Sequence, residues 1–140
     1  MTDVARFAYT SQGGMGAMPF IPITLESRGS AVYSAIALLD TGAAISILPN
    51  SIAINLRLDW QELEAYPVRL GGVFRGQNGC FVKLKVSVGQ LPVQEIVFAW
   101  LQSGDAPLIL GNANFFEVFD TCFSRSNDEI SVRLGQGRQS

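Results

Sequence analysis

Short apolar runs separated by turn residues dominate the chain. Phe20 to Glu26 alternates apolar and polar positions around Pro22, the period of a strand with one buried face. A turn follows at Ser27-Arg28-Gly29-Ser30, and Ala31 to Leu39, rich in β-branched and apolar residues, reads as the return strand. Asp40-Thr41-Gly42 stops that strand, because Asp and Gly favour turns. Ile45 to Leu48 makes a second buried strand, closed by Pro49. Val68 to Phe74 and Phe81 to Val88 read as strands around Arg75-Gly76-Gln77-Asn78-Gly79, with Asn78-Gly79 as a hairpin signal. Gly89-Gln90 is another turn, Val93 to Leu101 another strand, and residues 103–107 a loop. Leu108 to Leu110 is a short apolar strand ending at Gly111. Phe119 to Arg125 and Glu129 to Leu134 form a last hairpin around Ser126-Asn127-Asp128.

Two helical stretches interrupt this pattern. Asn50-Ser51 is placed to cap a short helix through Leu56, and Asn112 to cap one over 113–118. Residues 57–65 are charged and fit neither period. Phe115, Phe116 and Phe119 read as core, Trp60 and Trp100 as packing residues, and Lys83 and Lys85 as the wet face of a strand. The first eighteen residues are polar and glycine-containing and read as a mobile arm, with 135–140 as a loose tail. The remaining stretch, 19–134, is one domain of many short strands and one or two short helices. That is the pattern of a small, mainly β barrel or sandwich.

Composition narrows the function classes. The 140 residues are 48% hydrophobic and 16% charged. The charged share is below the roughly 25% of ordinary domains, which leaves more apolar surface to cover and favours self-association. Net charge is −2, and the eight arginines and two lysines form no cluster, so neither nucleic acid nor a membrane is an expected partner. No basic-apolar leader opens the chain and no apolar run is long enough to span a bilayer, which makes the cytoplasm the expected location. The two cysteines, Cys80 and Cys122, read as buried thiols, with a disulfide between them compatible with the sequence but not demanded by it. There is no histidine, which excludes Ser-His-Asp and Cys-His catalysis and argues against a zinc hydrolase.

A bare Asp-Thr-Gly is usually a surface turn. Here Leu38-Leu39 precedes it and Ile45-Ser46-Ile47-Leu48 follows, so the Asp40 carboxylate is expected to be partly buried. Burying a carboxylate is costly, and a sequence that does so invites a functional explanation. Two further elements follow in order, the glycine-flanked Leu70-Gly71-Gly72-Val73-Phe74 and Leu108-Ile109-Leu110-Gly111. Together with Ala37 to Pro49, they resemble the retropepsins, the single-domain retroviral-type aspartic proteases and their bacterial relatives. The resemblance spans roughly residues 19–134.

The resemblance implies the acid-protease closed β-barrel and a set of roles. Asp40 is the catalytic carboxylate. Thr41 grips its counterpart across a dimer axis, Gly42 lets substrate backbone approach, and Ser46 supports the active-site loop. Gly71, Gly72, Val73 and Phe74 lie in a flap over the substrate. Leu38, Ala43, Ile45, Pro107 and Ile109 line side-chain pockets, and Leu110-Gly111 backs the catalytic loop. The mechanism needs two carboxylates sharing one proton, with no metal or cofactor. This chain has a single Asp-Thr-Gly, so a homodimer acting on a peptide or protein substrate is implied.

Two positions depart from the retroviral pattern. An Asp often follows Asp-Thr-Gly-Ala and an Arg often follows Ile-Leu-Gly; here those positions hold Ala44 and Asn112. Both charges are absent together, so neither is left stranded. Their loss motivates a rival reading, a retropepsin-fold module that dimerises or binds peptide without cleaving.

Overall fold

The computed structural model describes residues 3–14, 16–63, 66–71, 75–102 and 106–136. Among these residues ten strands form two sheets. Strands β2 (Phe20–Glu26), β3 (Val32–Leu39), β4 (Ser46–Pro49), β5 (Pro67–Arg69), β6 (Asn78–Ser87), β7 (Gln94–Leu101) and β8 (Ile109–Leu110) make the larger one. Its order is β2-β3-β8-β4-β7-β6-β5. Thr24 to Glu26 of β2 also pair with Lys85 to Ser87 of β6, which closes the sheet into a barrel. Closure covers the β2 edge that an open sheet would expose, and the three-residue β5 is left as the terminal strand among the described residues.

Most ladders are antiparallel, but β3 runs parallel to β8 and β4 parallel to β7. The consequence for the site is topological. β3 and β4 are consecutive in the chain yet separated in the sheet by β8. The connection 40–45 must therefore pass over the end of β8, and that connection carries Asp40. Inward side chains fill the barrel: Ile21, Ile23 and Leu25 from β2, Val82, Leu84 and Val86 from β6, and Ile96, Phe98 and Trp100 from β7. Lys83 and Lys85 alternate outward on β6, as the period of a strand requires.

The smaller sheet has the order β1-β10-β9, from β1 (Val4–Phe7), β9 (Phe119–Ser124) and β10 (Glu129–Leu134). The hairpin of β9 and β10 falls where the pattern predicts it, with Asp128 in the left-handed region at φ 52°. β1 is the unannounced element. Within the stretch read as an arm, Val4 to Phe7 pair with Arg133 to Ile130, and Ala5 is buried. Asp128 Oδ1 accepts from the Tyr9 backbone N–H at 3.1 Å, and the Arg125 guanidinium lies 4.7 Å from the Tyr9 ring centroid. The polar composition of the segment conceals these ties because most of them are made by backbone.

Local rules were overridden at two further points. Asn78 and Gly79 lie inside β6 rather than at a turn. Gly79 is opposite both Val68 and Leu101, and a Cβ there would stand 2.6 Å from the Trp100 carbonyl oxygen. The glycine serves close strand approach, and the turn uses Gly76 at φ 85°. Helix α1 (Asn50–Asn55) forms as expected, but Asn50 does not cap it; Asn50 Oδ1 accepts from Trp100 Nε1 at 3.1 Å. A second short helix, α2 (Trp60–Leu63), sets Trp60 edge-on to Trp100 at 5.0 Å. Cys80 is buried as expected, whereas Cys122 is exposed on β9, and neither is in a disulfide. Among the described residues no helix is long and apolar enough to cross a membrane.

Candidate active site

Asp40 leaves the end of β3, where its neighbours are held on both sides. Leu38 and Leu39 pair with Ile109 and Leu110 of β8. The Asp40 backbone N–H donates to the Leu110 carbonyl at 3.0 Å, extending the ladder by one bond. The chain then turns, and the Ala43 N–H donates to the Asp40 carbonyl at 3.1 Å. The Asp40 side chain is half-buried, and its Oδ1 accepts from the Gly42 N–H at 2.9 Å. Among the described residues no other donor reaches the carboxylate. Thr41 and Gly42 at the tip are exposed. A Cβ on Gly42 would sit 3.3 Å from Asp40 Oδ1, tight against the carboxylate the turn displays.

The segment leaving β8 braces this loop from below. Gly111 donates its N–H to Ser46 Oγ at 3.0 Å, and Ser46 is fully buried at the start of β4. The Asn112 N–H donates to the Ala43 carbonyl at 2.9 Å and the Ala113 N–H to the Ala44 carbonyl at 2.8 Å. The Asn112 side chain adds two bonds, from Nδ2 to the Thr41 carbonyl at 2.7 Å and to the Ala43 carbonyl at 2.9 Å. Asn112 is therefore no helix cap. Ala113 and Asn114 have non-helical backbone, with Asn114 at φ 70°, and the chain regains helical geometry only beyond them. Asn114 spends its side chain on the edge of β7, where Oδ1 accepts from the Val97 N–H at 2.8 Å.

The other residues expected near the site fall as follows. Ile109 is buried in a small cluster with Ile47, Leu70, Ala99 and Leu101, against which Ala43 and Ile45 pack half-buried. Leu38 is half-buried and Pro107 exposed. Gly71 is exposed, and among the described residues a Cβ on it would meet nothing within 4 Å. Gly72, Val73 and Phe74 lie outside the described residues. The residue that sequence reasoning undervalued is Asn112, treated as a missing arginine. Its signal was available: an amide directly after Ile-Leu-Gly can supply two donors where the loop carbonyls need them.

An open groove borders the loop tip, lined by Thr41, Asn112, Phe116, Cys122, Phe123 and Arg133 among others. Among the described residues no group of histidine, cysteine, aspartate and glutamate side chains is placed to hold a metal ion.

Among the described residues the Ser46 hydroxyl is the sole side-chain acceptor for the Gly111 N–H, so Ser46→Ala strands a buried donor. We expect a loss of about 1–3 kcal/mol of unfolding free energy, read from urea denaturation. An unchanged midpoint would show that the Gly111 N–H finds another acceptor.

No protein-family model matches the chain, and no curated protein matches it. Solved structures do. A retropepsin-like aspartic protease from Rickettsia conorii is 17% identical with a TM-score of 0.66, over 96% of this chain and 94% of that one. EIAV protease, complexed with the inhibitor HBY-793, is 17% identical with a TM-score of 0.54, over 72% of this chain and 88% of that one. The likeness is one of fold: the chain is a mainly β barrel with a retropepsin-like architecture.

Proposed function

We propose that this chain is an aspartic endopeptidase that works as a homodimer, with Asp40 and the same residue of a second copy forming the catalytic pair. The observation that carries the reading is the display of one half-buried carboxylate, oriented by the Gly42 N–H, at the exposed tip where β3 crosses to β4 over β8. A carboxylate held this way is ready to bind water, but alone it cannot act as base and acid in the same step. A second copy supplies the missing partner, and two-fold pairing is the commonest way for a chain to complete such a site.

In this reading a water between the two carboxylates attacks the peptide carbonyl. One carboxylate takes its proton while the other protonates the carbonyl oxygen. Thr41, exposed at the tip, faces its counterpart across the axis. Leu38, Ala43, Ile45, Pro107 and Ile109 favour apolar side chains flanking the cut bond, and the segment 71–74 closes over the substrate. Ser46, Leu110 and Gly111 hold the loop from beneath. The low charged fraction and the groove beside Thr41 support a dimer.

Concentration tests this reading. Specific activity on a peptide library is expected to fall on dilution, in step with dimer dissociation followed by sedimentation. Activity that stays constant while the protein becomes monomeric would overturn the shared site. The rival, a module that pairs without cleaving, predicts an intact dimer that neither turns over peptide nor binds a statine-type peptide mimicking the tetrahedral transition state.

A further inference from the structure

The hydrogen bonds around Asn112 have a consequence for Asp40 that passes through one peptide plane. The Thr41 carbonyl and the Gly42 N–H belong to the same peptide unit. That unit is trans and planar, so its oxygen and its hydrogen point in opposite directions. Asn112 Nδ2 holds the oxygen at 2.7 Å. The hydrogen at the other end points to Asp40 Oδ1, with the nitrogen 2.9 Å away. Fixing one end of the plane fixes the other. A hydrogen bond accepted by the carbonyl also polarises the amide, which strengthens the bond its N–H donates.

We propose that Asn112 is a positioning residue for Asp40, acting through the Thr41–Gly42 peptide to aim and strengthen the hydrogen bond to Oδ1. The side chain is suited to this. Its amide has two hydrogens, and both are used, on the Thr41 and Ala43 carbonyls. Two carbonyl acceptors on one side also settle which end of the amide is nitrogen. Its backbone cannot drift, because the Asn112 and Ala113 N–H groups are bound to the Ala43 and Ala44 carbonyls. Asn112 is thus anchored to the loop it orients. The Ala43 carbonyl takes both the Asn112 backbone and side-chain donors, and this locks the turn on the far side of Gly42.

The inference rests on the proteolytic reading for its effect on rate, but not for the geometry. Asn112→Leu keeps the branched shape of the side chain and removes both donors; Asn112→Ala removes the side chain altogether. Both are made in the full chain. Two measurements are taken on each: the split between kcat and KM on a cleaved peptide, and the amide proton signal of Gly42 by NMR.

The expected result is a fall of about tenfold in kcat for both variants, which corresponds to ~1.4 kcal/mol of barrier, with KM and dimer content little changed. The Gly42 amide proton is expected to move upfield as its hydrogen bond weakens. A merely structural role would lower thermal stability or dimer content and leave that signal in place. Unchanged kcat, or a Gly42 signal that does not move, overturns the proposal. If the unsubstituted protein cleaves nothing, the protease reading fails by itself, and the Gly42 signal alone then decides whether Asn112 orients the peptide.

Discussion

Asp40→Asn is expected to abolish peptide cleavage while leaving the fold and the dimer intact. The two side chains have the same shape, and the introduced amide oxygen can still accept the Gly42 N–H that now binds Oδ1. Loop geometry should therefore survive, and stability should change by no more than about 0.5 kcal/mol, as for surface substitutions elsewhere. Chemistry should not survive. An amide can neither take a proton from water nor hold one for the carbonyl, and general acid–base catalysis contributes about 10²–10⁴-fold on its own. In a homodimer the substitution removes both members of the pair at once, so the expected fall is at the upper end of that range or beyond it. Mixing sharpens the test. If substituted and unsubstituted chains exchange freely in equal amounts, activity should be about one quarter of that of the same total amount of unsubstituted protein, since only dimers with two intact carboxylates work. About three quarters would mean that one carboxylate per dimer suffices, and undiminished cleavage by the pure variant would sink the mechanism.

Much of this site was legible in the residues because the motif and the fold depend on the same positions. Asp40 stands between Leu38-Leu39 and Ile45 to Leu48, and that apolar bracket is what puts a carboxylate at a strand crossing. Ser46 and Gly111 were separately marked as loop supports, and the structure joins them by a hydrogen bond. Strands were legible wherever alternation was long, as in β2 and β6. Glycines were the least legible residues. Asn78-Gly79 carries a strong local hairpin signal, yet Gly79 is glycine because the Trp100 carbonyl passes too close for a Cβ. That constraint comes from β7, some twenty positions away in sequence, and no local rule contains it.

Asn112 failed to be legible for the opposite reason. Its local signal, a polar residue before an apolar helix-like stretch, matches an N-cap. The three loop carbonyls it and its neighbour satisfy, at Thr41, Ala43 and Ala44, lie about seventy positions back and compete more strongly. β1 was hidden in the same way, since it is only four residues long and its partner is the last strand of the domain. In each case a long-range backbone partner outweighed a local preference.

Gly111→Ala is expected to destabilise the protein by about 3 kcal/mol or more, and to remove activity with it. A Cβ at this position would stand 2.5 Å from the Ile45 carbonyl oxygen, 2.7 Å from the Ile45 carbonyl carbon and 2.9 Å from the Ala43 carbonyl oxygen. All three atoms are backbone, so no side-chain rotation relieves the clash. Nor can Gly111 retreat, because β8 is held by β3 on one side and β4 on the other. The loop 43–45 must lift instead, and in lifting it weakens the bonds from Gly111 to Ser46 and from Asn112 and Ala113 to the Ala43 and Ala44 carbonyls. Those bonds place Asp40. Gly71→Ala is the control, since among the described residues a Cβ there meets nothing within 4 Å, and its stability effect should be small. Urea denaturation of the two variants separates the cases. A Gly111→Ala midpoint as high as that of Gly71→Ala would mean that the loop can rise without cost, and then Asp40 is not rigidly held. A collapse confined to Gly111→Ala would show that the glycine closing Leu108-Ile109-Leu110-Gly111 is demanded by topology: β3 can reach β4 over β8 only where the strand beneath has no side chain.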